Sequence, residues 1–129
     1  MKKDFDKWNG IKNYIENNQG ATGFPKEKEV WMTSLGENIG YEQNGTGANF
    51  SRPILIIKKF NNQMFWVIPL STKQKNLDFY FNYIDPNSKK VSAILAQLRL
   101  VSIKRLNRKM YEISDVLFMQ IRARIKSFL

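Results

Sequence analysis

Apolar positions recur every three or four residues at the two ends of this chain and every second residue almost everywhere between them. Phe5, Trp8, Ile11 and Ile15 fall on one face of an expected helix over 4–18, with Asp4 or Asp6 near its start. Gly10 inside it costs about 1 kcal/mol against alanine. Gly20-Ala21-Thr22-Gly23-Phe24-Pro25 then breaks the pattern and reads as a linker. It divides an N-terminal helical extension, residues 1–24, from a main domain, residues 25–129. At the other end Ser114 caps a final helix. Leu117, Ile121, Ile125 and Phe128 share one face of it, with Arg122, Arg124 and Lys126 on the other.

Between the helices the period is two. Glu29 to Thr33 is a short strand, followed from Ser34 to Ser51 by a long loop holding glycines 36, 40, 45 and 47. Loops of that length in a compact domain are usually functional or mobile. Pro53 to Lys59 is apolar and β-branched without alternation, as expected of a strand buried on both faces. Phe60-Asn61-Asn62-Gln63 turns the chain into a partner strand, Met64 to Leu70. In Asp78 to Tyr83, Phe79, Phe81 and Tyr83 alternate with Asp78, Tyr80 and Asn82. After the turn Asp85-Pro86-Asn87-Ser88 come Val91 to Leu95, Leu98 to Ser102 and Arg105 to Ile113 as further short strands. Many short strands and a terminal helix predict a small, strongly bent antiparallel β-barrel.

Composition narrows the chemistry. At 129 residues, with 43% hydrophobic and 25% charged residues, the chain has one globular core. It contains no cysteine and no histidine, which excludes disulfides, thiolate catalysis and the commonest metal ligands and general base. Acid–base chemistry is left to carboxylates, Tyr, Lys, water or electrostatics alone. No apolar run reaches the length of a signal core or membrane span, so a soluble cytoplasmic protein is expected. Residues 1–50 carry six Lys/Arg against seven Asp/Glu, residues 51–88 five against two, and residues 89–129 ten against two. The net charge of +10 therefore lies in the C-terminal half, as a polyanion or an acidic partner protein requires. A solvated basic face that merely keeps the protein soluble fits the same numbers.

One constellation carries chemistry. The glycine-rich loop delivers Arg52 to the mouth of the buried strand, and the next strand ends in Ser71 and Thr72. An arginine fork and hydroxyls converging from adjacent strand ends suit a phosphate. Read from the residues alone, Arg52 fits a structural ion pair with Glu42 or Asp78 at least as well. Tyr41, Phe50 and Trp66 have the chemistry to stack on unpaired bases, although alternation places Trp66 in the core.

The order and spacing of three segments resemble the MazF/PemK toxins of bacterial toxin–antitoxin pairs. These are Ser51-Arg52-Pro53-Ile54-Leu55-Ile56-Ile57, Ile68-Pro69-Leu70-Ser71-Thr72, and Ile94-Leu95-Ala96-Gln97-Leu98-Arg99-Leu100 followed by Lys104-Arg105-Leu106. The resemblance spans roughly residues 27–128 and leaves the N-terminal helix outside it. It implies an SH3-like barrel acting as a cytoplasmic homodimer that inhibits growth. The implied activity is metal-independent, sequence-specific cleavage of single-stranded RNA, leaving 2′,3′-cyclic phosphate and 5′-hydroxyl ends. No cofactor is implied. An acidic antitoxin would cover the RNA groove, and DNA binding would come only through that complex. Carried over residue by residue, the catalytic group is Arg52, Ser71, Thr72 and Glu42; Ser71 stands where a threonine is common. Gln43, Lys73, Lys75, Gln97 and Arg99 are the implied RNA contacts. Two rivals share the fold: a gyrase poison resembling CcdB, to which Ile125-Lys126-Ser127-Phe128-Leu129 is a poor match, and an RNA-binding module without catalysis.

Overall fold

A computed structural model describes residues 24–34 and 51–129. The expected helix over 4–18 and the loop positions Tyr41, Glu42, Gln43 and Phe50 lie outside the described residues. The seven strands are β1 (Glu29–Ser34), β2 (Ser51–Lys59), β3 (Met64–Ser71), β4 (Tyr80–Ile84), β5 (Lys90–Ile94), β6 (Arg99–Ser102) and β7 (Leu106–Glu112), followed by one helix, α1 (Asp115–Ser127). All pairings are antiparallel, in the order β4-β5-β3-β2-β1-β7, with β6 added to β3. The mostly-β architecture with a C-terminal helix is thus the one the hydrophobic pattern predicts. The sheet does not close: among the described residues no ladder joins β7 back to β4.

Side chains bridge that seam instead. The Tyr83 hydroxyl of β4 and the Tyr111 hydroxyl of β7 lie 2.8 Å apart, tying together the two ends of the sheet path. Burial pushes both phenols above the ordinary tyrosine range; for Tyr83 the bond to Tyr111 and the charge of Asp85 push the same way. An acid that resists ionising in the fold stabilises it below the unfolded-state value and loses that stabilisation as pH rises. Unfolding free energy is therefore expected to hold level through neutrality and fall above about pH 10, by about 1.4 kcal/mol per pH unit for Tyr83 alone. Lys28, raised by its hydrogen bond to Asp115, acts in the same direction. Urea titrations between pH 8 and 11 check the slope, which Tyr83→Phe should flatten.

The core divides at β2. Ile54, Leu55, Ile56 and Ile57 are all buried, as their unbroken apolar run predicts. Leu55 and Ile57 join Val30, Ile68, Leu70, Tyr83 and Ala93 under the helix residues Phe118, Ile121 and Ile125. Ile54 and Ile56 point the other way, to Trp31, Phe65, Val67, Val101 and Leu106. Opposite faces of one strand thus feed two cores, and a register shift between Ile56 and Lys58 ends the arrangement. The helix starts where Ser114 accepts a hydrogen bond from the Leu117 amide.

Two sequence expectations change here. Trp66, placed in the core by alternation, is 40% exposed and meets Phe60 edge-on at 5.0 Å. The helix buries Phe118, while Phe128 caps its end and stays half exposed. A buried carboxylate, Glu29, is satisfied by the Lys26 amide and the Trp31 indole at 3.0 Å each and by Lys109 at 3.2 Å. That pairing offsets the desolvation such a group otherwise suffers.

Candidate active site

The Arg52–Pro53 dipeptide sets the geometry of the site. Ile54 pairs with Pro69, so one step further Pro53 stands opposite Leu70, and the next step sets Arg52 opposite Ser71. Proline has no N–H, so the Leu70 carbonyl gets no ladder bond from it. The Arg52 guanidinium supplies the donor, its Nη2 lying 3.1 Å from the Leu70 oxygen. The arginine is thereby laid across the strand end that carries the candidate hydroxyl.

Ser71 is held from its other side. Its Oγ accepts from the Lys73 amide at 3.1 Å, which leaves the hydroxyl proton to donate elsewhere. Ser71 also pairs across β5 with Ser92, and Ser92 with Asn82 of β4, whose carbonyl takes the Ser92 hydroxyl at 2.8 Å. On the far side Thr33 pairs with Arg52. A polar row, Thr33–Arg52–Ser71–Ser92–Asn82, thus crosses five strands. The sequence alone does not distinguish Ser92 and Asn82 as site residues; the polar Ser92 between the core residues Val91 and Ala93 is the available signal.

The loop after Ser71 is pinned to the sheet. The Gln74 amide donates to the Tyr83 and Val91 carbonyls at 3.4 and 3.2 Å, and Asn82 donates to the Lys75 carbonyl at 3.2 Å. Thr72, Lys73 and Lys75 are exposed on it, and the Lys75 ammonium stands 5.7 Å from the Tyr80 ring centre. Arg124 of the helix donates to the Asp78 carbonyl and lies over Phe81, securing the loop's far end.

The structure therefore brings together Arg52, Ser71, Thr72 and Lys73, with Lys75 on the same loop. Gln97 and Arg99 are exposed, and Arg99 is set apart from them: it pairs with Val67, four residues along β3 from Ser71, or about 13 Å at strand spacing. Glu42 and Gln43 lie outside the described residues.

The sequence pattern of the PemK-like, MazF-like toxins of type II toxin–antitoxin systems matches residues 26–129. The chain belongs to that family. No individually curated protein matches it. Among solved structures it is similar to an endoribonuclease in complex with its cognate antitoxin from a mycobacterial species, with 13% identity, TM-score 0.60, and coverage of 80% of this chain and 92% of that one. A MazF toxin of Mycobacterium tuberculosis gives 11% identity, TM-score 0.59, and coverage of 77% and 93%. MazF from Deinococcus radiodurans gives 14%, 0.56, and coverage of 81% and 96%. At such identities the likeness establishes the shared fold.

The family match begins at residue 26, and the described packing at that end includes the buried Pro25 as well as Phe24, whose ring centre lies 6.0 Å from the Lys59 ammonium. Removing residues 1–23 is accordingly expected to leave a domain that melts cooperatively, by calorimetry, within a few degrees of the full chain. A broad, non-cooperative transition would place the N-terminal segment within the folding unit.

Proposed function

We propose that this toxin is a sequence-specific endoribonuclease that cuts single-stranded RNA without a metal. The observation that carries the reading is the Arg52 guanidinium, held on the Leu70 carbonyl directly across from Ser71, in a chain of this family. The RNA 2′-hydroxyl attacks its own 3′-phosphorus, and the 5′-oxygen of the next nucleotide leaves. The products are a 2′,3′-cyclic phosphate and a 5′-hydroxyl. Negative charge builds on the non-bridging oxygens during attack. Arg52 is placed to stabilise it, and the Ser71 or Thr72 hydroxyl donates to the same oxygens. Arginine stays protonated, so it acts through charge rather than as a base. Glu42 is the proposed acceptor of the 2′-hydroxyl proton, and solvent water protonates the departing 5′-oxygen. Lys73 and Lys75, with Gln43, Gln97 and Arg99, extend the RNA contacts.

The working form is a cytoplasmic homodimer, silenced by an acidic antitoxin laid over the basic groove. Among the described residues no helix is long and apolar enough to cross a membrane. Light scattering at micromolar concentration should give twice the chain mass; a monomer would remove the dimer from the reading.

Long single-stranded RNA, incubated with the purified protein in excess EDTA and mapped at its fragment ends, tests the activity. Discrete cuts with cyclic-phosphate ends are expected. Intact RNA from folded protein overturns the reading and directs attention to gyrase poisoning or RNA binding alone.

A further inference from the structure

We infer that Pro53 is a positioning residue for the active site: by withholding a backbone N–H from the Leu70 carbonyl, it reserves that oxygen for the Arg52 guanidinium. The inference rests on the ribonuclease reading for its catalytic consequence, but its geometry stands apart from it.

A strand residue with an N–H at position 53 would donate to Leu70 across the β2–β3 ladder, as antiparallel partners do. Here that donor is missing and a side chain takes its place at 3.1 Å. The exchange matters because both donors belong to β2 and would reach the same carbonyl from its side of the ladder. A backbone amide is held by the strand itself and gives up little further freedom on bonding. An arginine side chain gives up rotamer freedom when fixed. With an amide present the backbone would win, and the guanidinium would lose the contact that sets it opposite Ser71. Pro53 is the third residue of β2, at the end of the β2–β3 hairpin away from its turn, so the missing ladder bond falls near a strand end. The neighbouring β3 proline, Pro69, stands opposite Ile54, one pair along, where the alternation of an antiparallel ladder turns its nitrogen away from β2.

Pro53→Ala tests the inference. The new amide at position 53 is expected to be protected from hydrogen exchange, the melting temperature to hold or rise, and KM for a short RNA to change by less than about twofold. The kcat should fall by roughly ten- to a hundredfold, the loss a misplacement of about 1 Å produces. Pro53 replaced by N-methylalanine through chemical synthesis, which again lacks the N–H, should restore kcat. A protected amide with unchanged kcat overturns the positioning role, and so does an amide that exchanges freely. If Pro53→Ala does not fold, the wild-type chain decides. Slow rotation of the Arg52 Nη groups in nitrogen-15 spectra is expected from a held guanidinium, and free rotation overturns the inference. A wild-type chain that leaves RNA intact removes the ribonuclease reading; the exchange and rotation results then still judge the geometry.

Discussion

Arg52→Ala is expected to lower kcat/KM for RNA cleavage by roughly 10²–10³-fold, or about 2.7–4 kcal/mol, the usual loss for one preorganised transition-state donor. The side chain has two tasks in the structure, and the variant removes both. It carries the positive fork opposite Ser71, and it satisfies the Leu70 carbonyl. The second loss is structural, so melting must be followed beside activity. Arg52→Lys separates the two: it keeps the charge but cannot make two parallel contacts to phosphate oxygens. It should recover less than a tenth of the wild-type rate. Wild-type turnover in Arg52→Ala would take this residue out of the site altogether.

The largest expected effect on stability is Phe65→Ala, at about 3–5 kcal/mol. Phe65 is fully buried, opposite Lys59 on one side and Val101 on the other, in the smaller of the two cores. Its neighbours Trp31, Ile54, Ile56, Val67 and Leu106 sit on strands held by ladders, so the space left by the ring cannot collapse. Domains of this kind have about 5–15 kcal/mol in total, so the variant would stand close to unfolding at 37 °C. Urea denaturation measures the loss directly. A change under about 1 kcal/mol would mean that this side of the sheet repacks freely.

Much of this was legible in the residues. The unbroken run Ile54 to Ile57 announced a strand buried on both sides, and Ser114 announced the start of the last helix. Trp66 was not readable. Alternation gives it the same face as Ile68 and Leu70, but α1 roofs that face only over the Ile68 cluster and leaves the hairpin end open. Whether a helix extends far enough to cover a strand position is a tertiary fact that no period encodes. Phe128 failed for a related reason: it falls in the helical stripe one residue past the last turn, where the backbone caps rather than packs.

At the site, Arg52, Ser71 and Thr72 were visible because strand ends next to a proline mark themselves. Their convergence depended on register, which the turn Phe60 to Gln63 sets and which composition does not reveal. Ser92 and Asn82 were hidden among strand residues whose polar partners lie on other strands. Arg99 was expected beside them, but β6 pairs with the Met64 half of β3 and β5 with the Ser71 half, so the two strands part company along one neighbour.

The ladder between β1 and β7 joins Glu29 to Glu112. The β2–β3 hairpin, with Arg52 and Ser71 at its open end, closes across a short turn and is quick to form. β1 can pair with β2 early, but its ladder with β7 must wait for the last strand, because closing so long a loop costs entropy that only the finished pairing returns. During synthesis the edge of β1 therefore stays open to foreign strands until residue 112 has been made. The corner that carries Arg52 and Ser71 can be assembled while the sheet that steadies it is still incomplete.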